Sequence, residues 1–197
     1  GLGWDELETL ATGTLLHDLG KIFVPAEILN KPGALTPEEF GVVKDHCQRG
    51  YALLKDQISP LAAHIAFQHH ERCNGSGYPR GLDASGTITF AKLTAVADSF
   101  DAMTSNRVYR RAMLPERAAA ILLQETPAKY EPEFVKTLAK LVAPYPIGCR
   151  VLLDTGERGD VASATRTQTF VALVDGPRAG EIVVCPDEAA IISAEEW

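Results

Sequence analysis

Residues 15–22 read LLHDLGKI. A His and an Asp stand side by side, and a Lys follows three positions after the Asp. The pair comes after an apolar run, which places it at the buried end of a helix. An ionised carboxylate in such a place is costly unless something pairs with it. A metal ion is one such partner, and a hydrogen-bonded core pair is another. The rest of the chain has to decide between them.

Upstream, Leu7, Leu10, Ala11, Thr14 and Leu15 fall at helical spacing, which predicts a helix over residues 5–19. Asp5 is its expected N-cap, with Glu8 three residues later. Gly20 breaks the pattern. Downstream, Pro25, Pro32, Gly33 and Pro37 forbid a long helix before Thr36. Thr36 caps the next helix, with Pro37 at its first position and Glu39 following, and that helix is expected to run through His46 to about Gly50. Further helices are predicted over 50–57, 59–71, 90–104, 115–126 and 131–142. Between the second and third of these lies CNGSGYPRGLDASGTIT, a polar, glycine-rich loop too long for a simple turn. After the PYP of residues 144–146 the pattern changes to short β-branched runs separated by Gly, Asp and Pro, which read as three to five strands joined by hairpins. The expected organisation is a helical domain over residues 1–143 and a small β-rich subdomain over 144–197, too short to be comfortable as an independent unit.

Composition narrows the function classes. The chain has 197 residues, 46% of them hydrophobic, so it can bury a proper core. Its formal net charge is −7, which disfavours general nucleic-acid binding. A small anionic substrate remains compatible where metal ions or a few basic side chains reverse the field locally. Cysteines 47, 73, 149 and 185 are widely spaced and form no CxxC cluster; they read as reduced thiols of a cytoplasmic protein. No apolar run reaches the length of a membrane span.

The histidines are unevenly placed. His17 abuts Asp18, His46 sits in KDHCQRG, and His69 and His70 adjoin each other ahead of Glu71. Asp98 lies in AVADSFDA, inside an apolar helical stretch where a carboxylate is out of place. Adjacent helical residues point about 100° apart, so one member of each pair can face each of two neighbouring ions. An Asp can bridge two ions through its two oxygens. Imidazole and carboxylate together suit Fe, Mn, Zn or Ni better than Mg alone. Each feature has an ordinary reading as well. A lone His on a helix is usually structural, as His64 is read here, and Asp101 reads as a helix-surface charge. Only the joint occurrence points to a metal centre.

The stretches HDLGK, VPAEILNKPGALTPEEF, KDHCQRG, HHERCNGSGYPRGL and AVADSFDAMTSNRVYR, in that order, resemble the HD-GYP family of metal-dependent phosphodiesterases, from about residue 7 to 142. The tail from YPIGCRV onward is similar to the small β segment that follows the helical domain in many members. The resemblance implies a mainly α fold: an HD-type helical bundle around a metal centre, with a small C-terminal β subdomain. It implies as metal ligands His17, Asp18, His46, His69, His70 and Asp98, with Asp18 as a bridge. The ions would be two, or three, divalent metals, with Fe or Mn favoured and Zn or Ni as alternatives. It implies that Lys21, with Asp18, serves catalysis by contacting a substrate phosphate, and that Arg107 and Arg110 bind substrate. The implied substrate is cyclic di-GMP, cleaved to linear pGpG or on to GMP in bacterial second-messenger signalling. A related cyclic dinucleotide, or a non-catalytic module that binds the nucleotide or a cyclase, is the alternative.

The signature loop Gly77, Tyr78 and Pro79 has two readings. Gly75 and Gly77 permit positive φ and Pro79 restricts Tyr78 to extended backbone, which makes a rigid wall of the pocket. The family implies a gate, or a docking surface for diguanylate cyclase domains. Glu71 either orients a ligand or caps the helix end. A homodimer is a further expectation. Asn74 stands where the family more often has Asp, with little effect expected. Family members usually carry one more His well upstream of the HD pair. The sixteen residues before His17 hold none, which leaves two expectations. Either the helix that bears it lies outside this sequence and the whole protein is an ordinary enzyme, or that helix is lacking, one metal position is short of a ligand and an apolar face is uncovered.

Overall fold

The computed structural model describes residues 1–106, 111–143, 145–165, 168–185 and 190–194. The chain divides into two compact units, Gly1–Ser99 with Glu125–Phe134 and Phe100–Gln124 with Val135–Trp197. The predicted class, mainly helical with a small C-terminal sheet, is the one observed.

In the first unit, helix α1 covers Trp4–Leu15. Gly3 caps it, not Asp5: the Glu6 carboxylate accepts the Gly3 N–H at 2.9 Å. Asp5 and Glu6 both fall in the first turn, where the helix dipole favours negative charge. The helix stops at Leu15, so His17 and Asp18 lie in the turn beyond it, followed by a 3₁₀ helix over Leu19–Phe23. After the short α2, Ala26–Leu29, helix α3 spans Pro37–Lys44 with the predicted Thr36–Glu39 capping box and Pro37 at its start. The expected continuous helix through His46 is broken at Asp45, and α4 begins afresh as His46–Leu54. No Gly or Pro marks this break. It puts His46 in a first helical turn, where its ring reaches back to the Val43 carbonyl.

Helix α5, Pro60–Gln68, is capped by Ser59 and ends just before the His pair. Its Ala62, Ala63, Ile65 and Ala66 are fully buried or nearly so. Small side chains there let α1 and α4 pack closely on it, while the 3₁₀ turn packs on α4. Helix α6 covers Thr89–Thr104 and carries Asp98. Thr14 of α1 meets Thr94 of α6 hydroxyl to hydroxyl at 3.0 Å. The helical core is thus arranged around the end of α1, where the HD pair sits.

The second unit contains helix α7, Pro115–Gln124, and most of α8, Pro132–Leu141. Five strands follow: β1 Arg150–Leu153, β2 Arg158–Ala164, β3 Thr169–Leu173, β4 Ile182–Cys185 and β5 Ile191–Ala194. All pairings are antiparallel, in the order β4-β3-β2-β1-β5. Alternation along β3 buries Thr169, Val171 and Leu173 on one face. Val151, Leu153, Val161, Cys185 and Ile191 complete that side into a core of its own. No helix of the described residues is long and apolar enough to cross a membrane.

Candidate metal centre

Three imidazoles are locked in one tautomer by the backbone. Nδ1 of His17 lies 2.6 Å from the Thr14 carbonyl, that of His46 2.7 Å from Val43, and that of His69 3.0 Å from Ala66. A carbonyl only accepts, so each Nδ1 carries the hydrogen and each Nε2 of a neutral ring presents a lone pair. Those Nε2 atoms converge. His46 Nε2 and His69 Nε2 are 3.3 Å apart, both on side chains with no solvent exposure. The Asp18 carboxylate closes the group, with Oδ1 at 3.3 Å from His46 Nε2 and 3.7 Å from His69 Nε2. Its other oxygen lies 3.4 Å from His17 Nε2 and accepts a hydrogen bond from Lys21 Nζ. Asp98 stands opposite, Oδ1 3.7 Å from His17 Nε2 and Oδ2 4.0 Å from His70 Nδ1.

Donors from the α1 turn, α4, the end of α5 and α6 therefore meet at one place, and all of them belong to the first unit. Two neutral lone pairs facing each other across 3.3 Å beside a carboxylate repel unless positive charge lies among them. Among the described residues, His17 Nε2 and Asp18 Oδ1 are buried without a hydrogen-bond partner. Such orphaned atoms are rare and call for an explanation. Electrostatics point the same way. Burial pulls the His17 pKa down, but the Asp18 and Asp98 carboxylates outweigh it and raise it to about 10. Burial pushes Asp18 up, yet the facing His17, His46, His69 and Lys21 hold it far below the ordinary carboxylate range. Asp98 is lowered as well, against burial and chiefly by His17. Burial lowers His69 and His70, which keeps both rings neutral and available as donors. The residues fit divalent cations: hard carboxylate oxygens and neutral imidazoles in one pocket. His17, Asp18 and His69 form one close set of donors, and His46, Cys47, His69 and His70 form another.

The GYP loop is built onto this centre. Tyr78 stacks on His70, ring centroids 4.6 Å apart, and meets His46 edge-on at 6.4 Å. Phe40 also meets Tyr78 in a T-shaped contact, centroids 5.9 Å apart. Burial pushes the Tyr78 hydroxyl pKa up. Gly75 has the positive φ expected of it, +75°, but Gly77 does not. Gly77 is glycine for a different reason: a Cβ there would stand 2.4 Å from the His70 carbonyl oxygen. The Tyr78–Pro79 peptide is cis. Glu71 neither orients a ligand nor caps the helix. It is buried, and its carboxylate accepts the N–H of Arg80 at 2.8 Å and of Leu82 at 2.9 Å, holding the far side of the loop. Asn74 accepts from the Ser76 N–H and hydroxyl, bonds that an Asp would also accept.

His64 lies apart from the cluster, between Tyr51 and Phe67, with its Nδ1 on the Pro60 carbonyl. Asp101 is exposed. Arg107 and Arg110 lie outside the described residues. The sequence reading missed the role of Glu71, whose loop partners are nine and eleven residues away. It also missed Cys47, which neighbours His46 in a motif otherwise read for its histidine.

A helical domain that gathers an HD pair, single and paired histidines and a later aspartate around one cation site is an HD-type architecture. The family model described as HD domain matches residues 2–134. The chain belongs to the HD domain family. It is 42% identical over 150 residues to cyclic di-GMP phosphodiesterase PA4108 of Pseudomonas aeruginosa, covering 75% of this chain and 36% of that protein. It is 46% identical over 129 residues to a cyclic di-GMP phosphodiesterase of Thermotoga maritima, covering 64% of this chain and 35% of that protein. A 3'3'-cGAMP-specific phosphodiesterase of Vibrio cholerae is 33% identical over 141 residues, 70% of this chain and 27% of that protein. Among solved structures, Bd1817, an HDG"Y"P protein from Bdellovibrio bacteriovorus, has the same fold at a TM-score of 0.56 and 24% identity, covering 68% of this chain and 43% of that one. These matches agree with the resemblance to HD-GYP proteins read from the motifs. The chain spans about a third of the length of the curated relatives it matches.

Proposed function

We propose that this chain hydrolyses the phosphodiester bonds of cyclic di-GMP, to linear pGpG or to GMP, using divalent metal ions held by His17, Asp18, His46, His69, His70 and Asp98. The observation that carries this reading is the convergence of the His46 and His69 Nε2 atoms, 3.3 Å apart, on the Asp18 carboxylate. Divalent ions held by these residues would supply polarisation of a phosphate oxygen and a lowered pKa for a bound water. Fe or Mn suits the mixed imidazole and carboxylate set, as do Zn and Ni.

The chain's own side chains divide the remaining work. Asp18 offers its two oxygens to opposite sides, Oδ1 toward His46 and His69, Oδ2 toward His17 and Lys21. Lys21 is half-buried at the edge of the cluster, a fixed positive charge for the phosphate as charge develops on it. Tyr78, in contact with Phe40, walls one side of the centre and keeps water off His70 and His46. Arg107 and Arg110, outside the described residues, are assigned to the substrate's second phosphate on the chemistry of guanidinium with phosphate alone.

A second substrate has a specific basis. Relatives at 33% and 36% identity are named 3'3'-cGAMP-specific phosphodiesterases. Cyclic GMP-AMP shares the cyclic diester chemistry and differs in one base. The test is a metal-loaded preparation given both cyclic dinucleotides, with products separated by chromatography. Linear dinucleotide or mononucleotide is expected, with turnover lost in Asp18→Ala. Unchanged turnover in a folded Asp18→Ala variant removes this mechanism.

A further inference from the structure

Cys47 follows His46 directly and is fully buried at the first turn of α4. Its Sγ lies 3.5 Å from His46 Nε2, and His46 Nε2 lies 3.3 Å from His69 Nε2. One donor atom each from His46, Cys47, His69 and His70 falls within 4.8 Å of the others. A tetrahedral ion with metal–sulfur bonds of about 2.3 Å and metal–nitrogen bonds of about 2.05 Å has N···N edges of about 3.3 Å and S···N edges of about 3.6 Å. The two edges seen here have those lengths.

With both rings neutral, a simple thiol leaves one nitrogen unserved. Its single S–H can serve the lone pair of His46 Nε2, and His69 Nε2 then faces the same nitrogen with no hydrogen between them. Both rings are closed to water. An ion bound by sulfur and by both nitrogens removes the conflict at once. His70 brings a further donor into the same space.

We propose that Cys47 is a direct thiolate ligand of one ion at this centre, alongside His46 and His69. The ion takes the place of the thiol proton, which passes to solvent as the metal–sulfur bond forms. Soft sulfur then makes this position select a thiophilic cation, Zn²⁺ or Fe²⁺, over Mn²⁺. The proposal deepens the metal-centre reading and rests on it.

Cobalt spectroscopy separates the two. The metal-free chain, titrated with Co²⁺, is expected to develop visible d–d bands together with a near-ultraviolet sulfur-to-cobalt charge-transfer band. Cys47→Ala and Cys47→Ser should keep the d–d bands and lose the charge-transfer band. In Cys47→Ala, Zn²⁺ affinity should fall tenfold or more, on the order of the loss seen when a ligand's support is removed, while Mn²⁺ affinity changes little. X-ray absorption on the unsubstituted chain loaded with Zn²⁺ needs no variant, and should show one sulfur at about 2.3 Å. A first shell of nitrogen and oxygen alone, with d–d bands present, overturns the role of Cys47 and leaves the metal centre standing. Failure to bind Co²⁺ at all overturns both.

Discussion

Gly20 lies so close to His46 that a Cβ on Gly20 would stand 1.9 Å from the His46 carbonyl oxygen and 2.6 Å from the Gly50 nitrogen. The backbone of the 3₁₀ turn thus rests directly on the backbone of α4. This contact brings Asp18, two residues earlier, to within 3.3 Å of the His46 ring. The glycine of HDLGK is therefore a spacer of zero thickness between two ligand-bearing segments. Gly20→Ala must push them apart, at a cost of about 3 kcal/mol, the upper end for overpacking. Urea melts should show a lower midpoint, and metal content after purification should fall. Gly41→Ala is the control: its Cβ meets nothing within 4 Å, and the helix gains up to about 1 kcal/mol.

Lys21 donates to Asp18 Oδ2, and its ammonium group has no lone pair to offer a metal. Lys21→Met should lower turnover about 10²–10³-fold, as loss of one electrostatic stabiliser does, with metal content intact. Rate measurement paired with elemental analysis checks it. A variant that loses its metal and not its rate per metal would give Lys21 a role in holding Asp18 instead.

Glu71 accepts two loop amides with one carboxylate. Glu71→Gln keeps one acceptor and turns an NH₂ toward the other amide, at a cost of about 1–3 kcal/mol for the unsatisfied buried donor. Hydrogen exchange should accelerate at Arg80 and Leu82 while amides of α5 stay protected. Uniform acceleration across α5 would show that Glu71 supports the whole unit and not the loop.

Stability of the metal-free chain should peak near pH 6.5 and fall on both sides. His17 has its pKa raised from 6.5 to about 10, so its contribution is complete below 6.5 and is lost as pH climbs toward 10. His69 and His70 are lowered by burial, so the unfolded chain binds more protons below 6.5 and their contribution is lost as pH falls. Asp18 and Asp98, both lowered, add a further loss as pH falls below 3.8. Thermal melts across pH in the presence of a chelator measure this profile. A flat profile between about pH 5 and 8, roughly one and a half units either side of the His reference, would contradict the charge arrangement at His17.

Metal should stabilise by mass action. At a free ion concentration one hundred times Kd, the folded state gains about 2.7 kcal/mol. Denaturant midpoints with and without Mn²⁺ or Zn²⁺ give the gain directly, and Asp18→Ala should abolish it.

Much of this was written locally. Thr36 with Glu39 and Pro37 marks the start of α3, because a cap and its partner lie within one turn. The alternation of Thr169, Val171 and Leu173 marks a strand with one buried face. The residue types of the centre, His17, Asp18, His46, His69, His70 and Asp98, stand out because carboxylates and imidazoles interrupt apolar helices. What chain order could not convey is which atoms face each other. The break at Asp45 carries no Gly or Pro, and it arises where the ring of His46 turns back onto Val43. Gly77 excludes a Cβ through contact with the His70 carbonyl, not through its own φ. Glu71 finds partners nine and eleven residues on, and His46 and Cys47 meet His69 only once α4 is seated on α5. Helix and strand signals act over a few residues, so they are legible along the chain. Donor convergence depends on close packing between segments far apart in the chain, and that is set by contacts that exist only in three dimensions.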